Sequence, residues 1–159
     1  MQIKKGMYND TVKEFFQEIA KEEVRENTTE LLLIHIDCDL YSSTREVLNV
    51  DLANFLRRNE AFMSGNTPLF VAFDELIDYP TYQQHEIKAL YEFLKDSNDF
   101  LECVVIGKDG RDDIGEPLRF YQPDEICPLR VLVQFRPTQR GKQSFLNAKA
   151  QTKSSCLLS

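Results

Sequence analysis

"LLLIHIDCDLYSST", residues 31–44, runs a short apolar stretch straight into Asp37, Asp39, Tyr41 and a cluster of hydroxyls. An unbroken apolar run lacks the alternation of a strand with one wet face, and is the pattern of a parallel strand covered on both. Its carboxyl end offers two readings. Either Asp39 or Ser43 caps the next helix, or the acids belong to a site at the end of the strand.

Working outward, the same pattern recurs. Upstream, "NDTVKEFFQEIAKEEVREN" (9–27) places Val12, Phe15, Phe16 and Ile19 on one helical face, with Thr11 and Glu14 spaced as a capping box. Downstream, Ser43 and Glu46 form a second such box. It opens a helix with Leu48, Leu52, Phe55 and Leu56 on one face, ending near "MSGNTP" (63–68). "LFVAFDE" (69–75) is a second apolar strand that meets acids. "HEIKALYEFLKDS" (85–97) puts Ile87, Leu90, Tyr91 and Leu94 at helical spacing. "FLECVVIG" (100–107) is a third strand. After the turn-rich "KDGRDDIGEP" comes "LRVLVQF" (129–135), a fourth, pairing antiparallel with the third because no helix separates them. Alternating strands and helices imply an α/β fold with a mostly parallel sheet, helices on both faces and an antiparallel terminal pair.

Such sheets bind ligands at the carboxyl ends of their strands. Asp37 and Asp39 end the first strand; Asp74 and Glu75 end the second. In neighbouring strands these clusters lie about 5 Å apart. Carboxylates that close repel unless a cation sits among them, and hard oxygen ligands suit magnesium, manganese or calcium. The competing reading has one or two of them capping helices and the rest facing water.

Composition limits the partners. The chain has 159 residues, 42% of them hydrophobic, enough for one domain with its own core. Net charge is -7, and residues 136–159 contribute only cations, Arg136, Arg140, Lys142, Lys149 and Lys153, so the preceding body is more acidic still. An acidic body argues against a nucleic-acid surface. Cys38, Cys103, Cys127 and Cys156 form no C-x-x-C pair, which fits a reducing, cytoplasmic setting rather than a disulfide framework or zinc site. No apolar run reaches the roughly 20 residues of a membrane span, and the start "MQIKKGMYND" lacks a signal-peptide core. The division expected is an α/β domain over 1–136 and a loose basic tail over 137–159.

"IHIDCDLYSSTREVL" (34–48) resembles the "LDGDLYxST" segment of the macrocin O-methyltransferase family. These are S-adenosylmethionine-dependent, metal-assisted enzymes with a Rossmann-like fold. "VAFDELIDYPTYQQHEIKALYEF" (71–93) is similar to that family's "DEY..P...EHEAKA..EF", and "KKGMYNDTVKEF" (4–15) to its "KGWFxDTLP". The resemblance covers residues 4 to about 107, in order. It implies a partial Rossmann-like sheet, and an O-methyltransferase-like activity toward a hydroxyl of a sugar or other small molecule. It further implies a divalent metal, magnesium or manganese, on Asp37, Asp74 and Glu75, with Asp37 doubling as base. Tyr41 and Ser43 would border S-adenosylmethionine; Ser43 equally serves as a cap. His85 is a substrate-side candidate or a solvated helix start, and His35 is expected to pack within its strand. The family's glycine between the two aspartates is Cys38 here, and its second acidic ligand is Glu75. No glycine-rich strand-to-helix turn, the part that cradles the cofactor, occurs among the six glycines.

Two other functional readings stand beside this one. "DCD" matches the D-x-D of glycosyltransferases, which leaves "FDELIDYP" without a role. A catalytically inactive remnant serving as an interaction module explains the missing cofactor half. With only the second half of the sheet present, "LLLIHID" becomes an edge strand, and an apolar edge invites self-association. The terminal "CLLS" matches a prenylation box with Cys156 as farnesyl acceptor, the five cations supplying the second membrane signal.

Overall fold

The computed structural model describes residues 6–26, 33–77, 81–109 and 129–156. Helix α1 (Tyr8–Glu26) starts earlier than the Thr11 box implies. Thr11 lies inside it, its hydroxyl donating back to the Met7 carbonyl at 3.0 Å, so it is not the cap. Phe16 and Ile19 are the buried residues of the expected face, and the Phe16 ring lies 5.9 Å from that of Phe55.

Strand β1 (Leu33–Ile36) pairs in parallel with β2 (Leu69–Ile77), Leu33 opposite Phe70 and Ile36 opposite Phe73. Strand β3 (Leu101–Asp109) pairs antiparallel with β4 (Leu129–Pro137), as the sequence implies. The sequence does not show that β4 inserts between β2 and β3, giving the order β1-β2-β4-β3. The result is an α/β, four-stranded mixed sheet in which β1, β2 and β3 run one way and β4 the other.

The single helix expected after β1 is three. Helix α2 (Tyr41–Val47) stops at Leu48. Asn49 then caps α3 (Val50–Arg58), its side-chain oxygen accepting from the N–H groups of Asp51 and Leu52, and Asn59 caps α4 (Glu60–Ser64) in the same manner. Ser43 sits inside α2, whose N-cap is Leu40 without a side-chain bond, so the second capping box does not form. Gly65, in the left-handed region at φ 81°, closes α4. Helix α5 (Glu86–Asp96) follows a short 3-10 turn and buries Glu86, Ala89, Leu90 and Phe93. Tyr91, expected on that face, is 66% exposed.

Residues 139–156 are not a loose tail. They form helix α6 (Gln139–Cys156), which rests Phe145 against the core and is held by further contacts. The Thr138 hydroxyl accepts from the Gly141 N–H at 3.0 Å, Lys149 pairs with Glu60, and Gly141 sits against the Phe100 backbone, where a Cβ would come within 2.8 Å. Residue Cys156 ends α6, and the rest of the prenylation box lies outside the described residues. No described helix is long and apolar enough to cross a membrane.

All helices serve one core, centred on Leu52, Leu56, Val71, Phe73, Phe93, Val133 and Phe135. The opposite sheet face is not covered among the described residues: Leu33 is 57% exposed, His35 is exposed, and Ala72 and Leu132 are half-buried. The expectation of β1 buried on both faces, with His35 packed, is therefore wrong for this arrangement. The topology supplies the reason. Right-handed crossovers that step one way across a sheet, β1 to β2 to β3, leave their helices on the same side; covering both faces requires the order to reverse. β1 is also an edge strand among the described residues, as expected. The weight-average mass by light scattering should thus rise above the 18.5 kDa chain mass with concentration, and Leu33→Lys should return it towards monomer.

Candidate functional site at the carboxyl edge

Parallel, adjacent β1 and β2 bring their acidic ends to one edge of the sheet. After the buried Ile36 the chain leaves the ladder, and Asp37 and Asp39 are both exposed. The Asp37 carboxylate has no hydrogen bond or ion pair among the described residues. Asp39 adopts φ 51°, a left-handed conformation uncommon for a residue other than glycine.

On β2 the acids go separate ways. Asp74 pairs with the Arg130 guanidinium at 2.6 Å. Both line a groove of about 480 Å³ on the open sheet face, floored by Ala72, Gly107 and Leu132 and bordered by His35. Glu75 instead bears electrostatically on Glu86. The β2–β4 pairing slips between Phe73 and Ile77, so the two adjacent acids sit in an irregular stretch. Asp37, Asp74 and Glu75 are therefore not gathered as one ligand set: no group of three or more His, Cys, Asp or Glu side chains among the described residues could hold a metal ion. The expected magnesium or manganese site does not fit this arrangement. Arg130 already neutralises the carboxylate on which the set depends.

The cofactor side does not fit either. The Tyr41 hydroxyl donates to Glu92 at 2.6 Å, and the Lys88 ammonium lies 4.5 Å from its ring centroid. That hydrogen bond, more than any other influence, raises the tyrosine pKa. Arg45 bonds the same Glu92 at 3.5 Å and Asp96 at 3.3 Å. Tyr41 is thus part of a polar clamp between α2 and α5, and Ser43 is a half-buried residue of α2. The described glycines close α4 (Gly65), lie in β3 (Gly107) or α6 (Gly141), or precede α1 (Gly6). None opens a helix directly after a strand, so no cradle for S-adenosylmethionine exists among the described residues.

Sequence reasoning missed Glu86. It is fully buried at the first turn of α5. Its Oε1 faces the Cys38 thiol at 3.9 Å, while Oε2 has no hydrogen-bond partner. Burial pushes its pKa to about 7, and the negative charges of Asp39 and Glu75 push the same way, against the pull of the nearby backbone of Cys38 and Asp39. Burial likewise raises the Cys38 thiol. The only sequence signal was an acid where the helical face should be apolar, and an acid in a first turn reads as ordinary. His85, the N-cap of α5, has Nε2 3.1 Å from the Thr81 hydroxyl and stays near the surface, as a helix-start role requires.

No protein-family model matches the chain, and neither a curated protein nor a solved structure does.

Proposed function

We propose that this chain is the acceptor side of an O-methyltransferase-like domain, presenting the carboxyl edge of β1 and β2 to a hydroxyl of a sugar or similar small molecule. One observation carries the reading: two adjacent parallel strands both end in acids at one edge, with Asp37 and Asp39 exposed there. In open α/β sheets this is the ligand edge. Ionised carboxylates make strong charge-assisted bonds to hydroxyl donors. The linked motifs around Asp37, Asp74 and His85 resemble one methyltransferase family and support the same assignment.

In this reading Asp37 accepts a hydrogen bond from the acceptor hydroxyl and is placed to take its proton. Asp39 orients a neighbouring hydroxyl. Arg130 keeps Asp74 paired and out of that role. S-adenosylmethionine would supply the methyl group, but the described residues do not hold it, and neither it nor a metal enters the part assigned to this chain. A sheet whose crossovers all step one way offers only one wall of the crevice that a reversal of strand order creates.

Calorimetric titration with a panel of monosaccharides and nucleoside-diphosphate sugars tests the assignment. Wild type is expected to bind at least one, and Asp37→Asn, which keeps the shape and removes the charge, to bind it about tenfold more weakly. Absence of binding across the panel, or equal affinity in both proteins, would favour a non-catalytic interaction module.

A further inference from the structure

The groove on the open sheet face is built on one rung that crosses all four strands. His35 of β1 is opposite Ala72 of β2, Ala72 opposite Leu132 of β4, and Leu132 opposite Gly107 of β3. Ala72 and Gly107 are the small members of that rung, and the space above them is the groove of about 480 Å³. Such a volume is ordinary for a small-molecule site. Arg130 stands two residues before Leu132 on the same strand, and its guanidinium reaches the groove beside Asp74. We infer that this groove binds a small aromatic monocarboxylate, with the ring laid on Ala72, Leu132 and Gly107 and the carboxylate on the Arg130 guanidinium.

Each part of the ligand answers a feature of the groove. Arg130 is 54% exposed and meets Asp74 through Nε, and its terminal nitrogens form no hydrogen bond among the described residues. That leaves a planar pair of N–H donors, the fork that a carboxylate matches with two parallel bonds. The cleft of about 230 Å³ beside α3 offers no such fork, because Arg45 is spent on the Leu48 carbonyl and Asp96, and Arg57 on both oxygens of Asp99. Asp74 already cancels one positive charge, and no described helix begins among the lining residues. The groove therefore suits a single negative charge, whereas a phosphate dianion needs further cations or a helix N-terminus. Ala72, Leu132 and Gly107 span two strand spacings, about 10 Å, which is room for one ring and its carboxylate. Because the sheet covers only one side of the ligand, a flat ring gains the most contact. Both ladders of β4 also slip here, against β2 after Phe73 and against β3 between Val105 and Gly107. Irregularities of this kind re-aim side chains next to binding sites.

Titration of the 159-residue chain with benzoate, followed by backbone amide resonances, is the test. Benzoate carries no hydroxyl group, so the outcome is independent of the acceptor assignment. Saturable shifts are expected at His35, Ala72, Gly107 and Leu132, with a dissociation constant of about 1 mM for a ligand covered on one side. Benzamide keeps the ring without the charge, acetate the charge without the ring, and phenyl phosphate adds a second charge; each is expected to bind about tenfold more weakly. Gly107 has no positive φ and an added Cβ there meets nothing within 4 Å, so Gly107→Leu should fold, fill the groove and abolish the shifts. Arg130→Lys keeps a cation beside Asp74 but loses the fork, and should weaken binding about tenfold. Shifts that do not saturate, that survive Gly107→Leu, or that fall at Asp37 to Tyr41 instead would overturn the site. Equal binding of benzamide and benzoate would overturn the carboxylate on Arg130, and does so even if Arg130→Lys fails to fold.

Discussion

Phe135→Ala is expected to destabilise the fold by about 3–5 kcal/mol, the usual range for removing a buried phenylalanine ring. Phe135 is 0% exposed on β4, the strand that joins β2 to β3. It sits opposite Leu69 on one side and Cys103 on the other, and its ring stacks on Phe93 of α5 at 5.7 Å. One side chain thus connects three strands and the central helix, and no neighbour can collapse into the space without leaving its own pairing. Small domains have only about 5–15 kcal/mol in all. Urea unfolding should therefore show a much lower midpoint at nearly unchanged slope. Val105→Ala, at a residue 65% exposed, should change the midpoint little. Comparable losses in the two variants would mean that β4 is not the centre of the sheet.

Stability is expected to fall as pH rises from about 4.5 to about 7, with Glu86 contributing about 3 kcal/mol of that fall at most. The folded-state pKa is raised from 4.5 to about 7 by burial. Between those values the folded chain holds a proton that the unfolded chain has lost, so stability decreases with pH. Below 4.5 both states are protonated and above 7 both are ionised, so the contribution is flat outside the window. A shift of this size corresponds to about 3 kcal/mol, and hydration of the carboxylate in the folded state would lower the figure. The difference between wild type and Glu86→Gln isolates the group from all other titrations. It should be near its acid-side value at pH 4.5, and at pH 8 should favour the glutamine variant by roughly 2–3 kcal/mol. A difference independent of pH would place the Glu86 carboxyl in water.

The strands were legible because each is a short apolar run with punctuation, and β1 and β2 both end visibly in acids. That the sheet is α/β with an antiparallel β3–β4 pair followed from the turn-rich sequence between them, which shows no helical periodicity. Other features depend on contacts that periodicity does not encode. The helix after β1 breaks at Asn49 and Asn59 because those side chains cap new helices, a signal present in the sequence but overridden by the continuous apolar face of Leu52, Phe55 and Leu56. Helix α6 has no strong apolar stripe, and its docking combines Phe145 against the core with a glycine against Phe100 and a lysine–glutamate pair. The edge position of the acids was readable, whereas their grouping was not. An arginine 56 positions downstream claims Asp74, and strand irregularity parts it from Glu75. Glu86 became significant only once its burial and its unpartnered oxygen were visible.

The acceptor-side assignment is tested most directly by following backbone amide resonances while the protein is titrated separately with a hydroxylated acceptor that it binds and with S-adenosylmethionine. The acceptor is expected to shift Asp37 to Tyr41, Asp74 to Ile77 and the start of α5, the residues at the carboxyl ends of β1 and β2. S-adenosylmethionine alone is expected to shift none of them, because no described glycine turn cradles it. Shifts on the open sheet face around Arg130 and Gly107 in place of the strand ends, or S-adenosylmethionine binding at Tyr41 and Ser43, would contradict the assignment.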